Sequence, residues 1–204
     1  MEKISLKSLT VALGVAACLS IPGFAQSDYE TSTPGTAVAP GPATGAQTAA
    51  QLTDAEILGV VNAVDKHEIN AAKEAMKKKP GAGVRDYAKM LREEHSANMK
   101  KTKSLAKQNK IKPASSQTEK DLRAKTSTEE KALASLKGAA FEKAYIDAMV
   151  SGHTEVLQML DATLIPAAKN EAVKTHLTEV RGHVAAHLEQ GKRLQEASAA
   201  RTTE

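Results

Sequence analysis

Residues 141–164 read FEKAYIDAMVSGHTEVLQMLDATL. Ile146, Met149, His153, Val156, Leu160 and Leu164 recur in steps of three and four, the spacing that lines one face of an α-helix. The stretch ends before Pro166 and is followed at once by Asn170, which caps a further helix. Its stripe is apolar except at its centre, where a histidine stands. The same pattern recurs three more times along the chain, and it decides the fold.

Upstream, Thr53 and Glu56 form a capping box for a first helix whose stripe is Ile57, Val61, Val64, Glu68, Ala71 and Ala75, ending at Pro80-Gly81. A second helix runs from about Val84 to Asn109, stops before Pro113, and carries Val84, Ala88, Leu91, His95, Asn98, Thr102 and Leu105. The helix of residues 140–164 is the third long one. The fourth runs from about Glu171 to Ala197 with Val173, Leu177, Val180, Val184, His187, Gly191 and Leu194. A shorter helical stretch spans about Thr118 to Leu136 and ends at Gly138. The domain, residues 51–197, is rich in Ala, Lys, Glu and Leu and poor in β-branched clusters and hairpin turns, so an all-α fold is expected. Short loops imply antiparallel neighbours. The expected architecture is an antiparallel four-helix bundle with an extra short helix in the connection between long helices 2 and 3, the crossover of ferritin-like topologies.

Outside the domain, the first 25 residues have three parts. Lys3 and Lys7 form a basic start, Leu9 to Leu19 an uncharged apolar run, and Gly23-Phe24-Ala25 a small-residue site for cleavage between Ala25 and Gln26. This is the pattern of a secretory signal peptide, and the run is too short to span a bilayer, which takes roughly 20 apolar residues. Periplasmic or secreted location is therefore expected, with no transmembrane segment in the mature chain. The alternative is lipidation at Cys18 after Val15-Ala16-Ala17, which would tether the domain. Cys18 is the single cysteine of the chain. Its loss with the leader would exclude thiolate metal sites, thiol catalysis and disulfides. Residues 26–50, rich in Ser, Thr, Pro, Gly and Ala, are expected to be a disordered leader, and residues 198–204 a frayed tail.

The chain carries 28 Lys plus Arg and 24 Asp plus Glu, a formal charge of +4, and loss of Lys3, Lys7 and Glu2 would change this by one. Basic and acidic residues are interspersed. With three Tyr, two Phe and no Trp, neither the basic face nor the stacking aromatics of a nucleic-acid binder is present. Lys77-Lys78-Lys79 sits at a helix C-terminus, where cations suit the dipole.

Each stripe is interrupted near its middle by a group able to bind a metal or carry a proton: Glu68, His95, His153 and His187. Counting along the helices from the turn at Gly81 puts Glu68 and His95 level. Counting from the turn near Ala168 leaves His187 about 6 Å off the level of His153 at 1.5 Å per residue. His183 fits that level better, although it sits on the flank of its stripe, and is the second choice. Buried carboxylates and imidazoles must be paired. Two readings follow. The four groups hold one metal ion, of the borderline class of zinc, copper or iron. Alternatively they hydrogen-bond to one another and to Asn98, Thr102 or water as a polar layer without a ligand, in a structural or interaction module of the cell envelope whose partner is another envelope protein or a second copy. The Glu-x-x-His pairs of a di-iron site are absent, because Glu94 directly precedes His95; Glu179-His183-His187 at spacing four and Glu155 near His153 are substitutes for it. A third and least favoured reading is an enzyme with a metal-bound water, for which no nucleophile, oxyanion donor or phosphate loop is legible. His67 and His176 lie beside their stripes and are expected to be partly exposed surface histidines, and Tyr87 is expected at the rim with its hydroxyl in water.

Ala88-Lys89-Met90 with Glu94-His95, then Gly138-Ala139-Ala140-Phe141 with Tyr145, Ala148-Met149-Val150 and His153, and His187-Leu188 in the last helix together resemble the exported bacterial family called domain of unknown function 4142. The resemblance covers about residues 52 to 195, and its most specific part is the Phe141, Tyr145, Met149 block followed by His153. It implies a ferritin-like fold, export, and a role for the positions of Glu68, His95, His153 and His187. It implies no particular activity.

Overall fold

The computed structural model describes the backbone of residues 51–202 and the side chains of residues 51–200. The expected signal peptide, its cleavage site at Ala25 and Gln26, Cys18 and the leader to residue 50 lie outside the described residues. Among the described residues every regular element is a helix: α1 Asp54–Lys77, α2 Ala82–Gln108, α3 Gln117–Ser135, α4 Gly138–Met159, a π-helical turn Leu160–Leu164, the single turn α5 Ile165–Ala167, and α6 Glu171–Thr202. None is long and apolar enough to cross a membrane.

Local chemistry sets the ends. Thr53 caps α1 in a reciprocal capping box with Glu56. Ser116 caps α3 through the Glu119 amide, and the Asn170 side chain accepts from the Ala172 and Val173 amides at the start of α6. The wide turn Leu160–Leu164 falls just ahead of Pro166, which has no N–H to continue an ordinary helical ladder. The last helix runs beyond the expected end near Ala197 to Thr202, because Ser198-Ala199-Ala200-Arg201 contains nothing that breaks a helix.

Cross-links between elements give the directions. The Ala114 amide donates to the Ala55 carbonyl at 2.9 Å, so the loop after α2 crosses α1 near its first turn. A Cβ at Gly59 would lie 2.0 Å from the Ala114 carbonyl oxygen, which is why that crossing needs glycine. From there α3 runs alongside α1: His67 meets Glu130 and, further on, the Lys78 ammonium donates to the Ala134 and Leu136 carbonyls. At that far end Glu142 of α4 accepts from the Gly81 amide. At the near end Asp54 accepts from the Lys169 and Asn170 amides ahead of α6. Thus α1, α3 and α6 point one way and α2 and α4 the other, and the connection between α2 and α4 spans the length of the bundle.

Helix α3 is a full member of the packing. It lies against α1 and also touches α4. Packed by α3 as well as by its other neighbours, α1 is buried more widely than a single stripe: Leu58, Val60, Ala63 and Ala72 are buried beside the expected positions, as is Asp65, which faces α2. The core falls into two apolar clusters. One gathers Ile57, Val61, Leu160, Leu164, Val173, Leu177 and Val184. The other gathers Ala72, Tyr87, Leu91, Phe141, Tyr145, Ile146 and Met149. Between them along the helices lies a layer of buried polar groups, Asp65, Glu68, His95, His153 and His187.

Candidate metal centre

The four long helices each deliver one of the expected residues to this layer, and all four side chains are buried. His95 from α2, His153 from α4 and His187 from α6 converge. Their ring centroids lie 5.2–6.0 Å apart, and one nitrogen from each can be chosen so that all three lie within 4.8 Å of one another. Glu68 faces the same layer but falls outside that 4.8 Å set.

Each imidazole uses one nitrogen outward. His95 Nδ1 donates to Asp65 Oδ1 at 2.9 Å. His153 Nδ1 donates to the Met149 carbonyl at 2.8 Å, one turn earlier in its own helix. His187 Nε2 donates to Glu94 Oε2 at 2.8 Å. Carbonyls and carboxylates accept, so in the neutral rings the proton sits on the outward nitrogen and the inward nitrogen carries a free lone pair. The inward atoms His95 Nε2, His153 Nε2 and His187 Nδ1 have no hydrogen-bond partner within the protein, and neither does Glu68 Oε2. Neither Asn98 nor Thr102 is a partner for these atoms. Asn98 serves Asp65, and Thr102 serves His176.

Electrostatics follow from burial and these partners. Burial opposes the charged form of Glu68, but the imidazoles of His153, His95, His67 and His187 outweigh it and hold the carboxyl below its ordinary range. Burial also works against protonation of His95. The bond to Asp65 and the charges of Glu68, Asp65 and Glu94 reverse this and raise its pKa. For His153 burial dominates and the pKa is lowered, Glu68 notwithstanding. Burial likewise lowers His187, to about 4, against the pull of Glu94. At neutral pH His153 and His187 are thus neutral and their inward lone pairs available.

Several residues fall elsewhere than the sequence reading places them. His187, not His183, enters the layer; the His183 side chain is 66 % exposed at the rim, 3.4 Å from Glu94. Counted from the helix ends at Ala167 and Glu171, His153 and His187 are 14 and 16 residues deep, an offset of about 3 Å. The larger offset came from measuring both helices from one point in the loop. His176 is buried, not a surface residue: Thr102 Oγ1 donates to the Asn98 carbonyl and so accepts from His176 Nε2 at 2.8 Å. His67, by contrast, is partly exposed as expected, its side chain held by Glu130. Tyr87 is fully buried and donates to the His187 carbonyl at 3.0 Å. Its ring needs Gly191, where a Cβ would lie 3.0 Å from the Tyr87 hydroxyl. Glu179 and Glu155 face outward to Lys101 and Lys125.

Sequence reasoning missed Asp65 and the part played by Glu94. Asp65 is buried and accepts from both His95 and Asn98. The signal was present: counted from the helix ends, Asp65 is 12 residues before Lys77 and His95 is 13 after Ala82, a closer match than Glu68.

A family model described as domain of unknown function (DUF4142) matches residues 39–194. The chain belongs to this family. The matched span takes in the whole polar layer of this DUF4142 domain, from Asp65 to His187. No curated protein and no solved structure matches the chain.

Proposed function

We propose that this protein is an exported, ferritin-like four-helix protein, elaborated by α3, that binds one zinc, copper or iron ion through His95, His153 and His187, with Glu68 as the neighbouring carboxylate. The observation that carries this reading is the opposed use of the six imidazole nitrogens. Three are pinned outward to Asp65, Met149 and Glu94, and the other three are buried and unpartnered within the protein, in rings that together offer three nitrogens within 4.8 Å of one another. Outer partners of this kind fix the tautomer and orientation of metal-ligating histidines. A buried polar atom left without a partner costs about 1–3 kcal/mol, and a bound ion would supply one partner to several of the four in this layer at once. Three imidazoles beside one carboxylate suit a borderline ion and leave room for a further ligand.

The ferritin-like reading is supported by the parallel course of α2 and α4 across a connection that spans the bundle. Export is supported by the basic, apolar and small-residue succession of residues 3–25. Loading the chain with copper(II) and reading the nitrogen hyperfine structure of its electron paramagnetic resonance spectrum tests the centre. Coupling to three imidazole nitrogens is expected, reduced to two by His153→Leu. A spectrum of solvated or surface-bound copper, the same in both chains, would refute it.

A further inference from the structure

The three-histidine centre is closed above and below by apolar clusters. The open approach to it is from the side. A cavity of about 170 Å³ opens between α2 and α6, and its lining includes Glu94, His95, Ala97, His183 and His187. It touches two of the three imidazoles. The cavity on the opposite side, between α1, α3 and α4, reaches Glu68 and passes Gly152 but touches none of the three. At the mouth of the first cavity stand Glu94, with a 43 % exposed side chain, and His183. One oxygen of Glu94 faces two histidines of α6: it accepts from buried His187 at 2.8 Å and lies 3.4 Å from His183 Nδ1.

The 3.4 Å gap is long for a hydrogen bond, whose usual range is about 2.7–3.2 Å. Two metal–ligand bonds of about 2.1 Å meeting at a tetrahedral angle span about 3.4 Å between donor atoms. The cation on the cavity wall, Lys101, is paired with Glu179 and so does not repel a second cation as a free ammonium would. An exposed imidazole, a half-exposed carboxylate, a cavity and two buried unpartnered nitrogens behind it form a graded path from solvent to the centre.

Resting on the three-histidine reading, we propose that Glu94 and His183 form an outer docking subsite for a divalent transition ion, which passes between α2 and α6 to the inner centre. A transfer site on the path lowers the barrier in both directions. It changes how fast the ion enters and leaves, and not how tightly it is finally held.

Stopped-flow absorbance with cobalt(II) alone, on the full chain, tests this. His183→Ala is expected to slow association and dissociation alike, by about fivefold within the usual span of association rates for one site, with the equilibrium constant unchanged within twofold. Ala97→Phe, which narrows the mouth, is expected to do the same, whereas Gly152→Leu in the opposite cavity leaves both rates unaltered. Unchanged rates in His183→Ala and Ala97→Phe would overturn the route. So would weaker equilibrium binding with faster release in His183→Ala, since that would make His183 a ligand of the final site. Failure of the unsubstituted chain to bind cobalt(II) at all would instead refute the inner centre itself, which keeps the two readings apart.

Discussion

Asp65→Asn isolates the outer support of the centre from its ligands. Asp65 is 1 % exposed. Its Oδ1 accepts from His95 Nδ1 and Asn98 Nδ2, and its Oδ2 from Asn98 Nδ2. Asparagine keeps the shape but only one accepting oxygen, so its amide must face another donor, and the negative charge is lost. Loss of an outer-shell carboxylate costs about 10–100-fold in metal affinity, which is about 1.4–2.7 kcal/mol. The stranded donor costs the metal-free fold about 1–3 kcal/mol. The two effects separate by pH. Asp65 helps to raise the pKa of His95, so in the wild type a proton competes with the metal at that nitrogen. Removing the carboxylate relieves this competition. The affinity deficit should therefore be full near pH 8 and shrink toward pH 6. Competition titration against a chromophoric chelator at both pH values measures it, with a thermal melt to confirm folding. A folded variant with unchanged affinity at pH 8 would refute the claim that Asp65 orients His95.

Other expectations follow from the same geometry. His153→Leu should leave the metal-free protein as stable or more so, since a buried imidazole whose Nε2 has no partner in the protein is exchanged for an apolar side chain, while abolishing any rise in melting temperature on adding metal; a rise that survives would contradict its role as ligand. His187 is depressed to about 4 in the fold from an ordinary value near 6.5, so its contribution to metal-free stability is complete above 6.5 and is lost as pH falls to about 4, on the order of 3 kcal/mol; His95, raised, acts oppositely above 6.5, and urea melts across pH 4–8 should show the acid-side loss. Gly191→Ala presses a Cβ to 3.0 Å from the Tyr87 hydroxyl and 3.1 Å from Val150 and should cost about 1–3 kcal/mol of overpacking in a denaturation curve. Mass spectrometry of the exported chain should find Gln26 as its first residue; a lipidated N-terminal Cys18 would support the tethered alternative.

The four long helices were legible because their stripes repeat in threes and fours and their ends carry caps, glycine and proline. The packing role of α3 was not, because it buries few of its own side chains: Leu133 and Glu119 are its buried residues, so its sequence has little stripe. Its presence is written instead into α1, whose breadth of apolar residues exceeds one face. The layer itself was legible, since each of its ligand candidates interrupts an apolar run. Its outer partners were not. Glu94 is adjacent to His95 and serves His187 on another helix, a relation that spacing within one helix does not express. Asp65 is level with His95 only when the four residues between Lys77 and Ala82 are left out as loop, a boundary that the stripes alone do not mark.

The central claim meets its most direct test in metal content. The full chain, purified without affinity histidines, is dialysed against zinc, copper or iron and analysed for bound ion beside a His95→Leu, His153→Leu double variant. A three-histidine centre predicts one tightly held ion per chain in the first and none in the second. No stoichiometric ion with any of the three metals, or equal binding by both proteins, would contradict it.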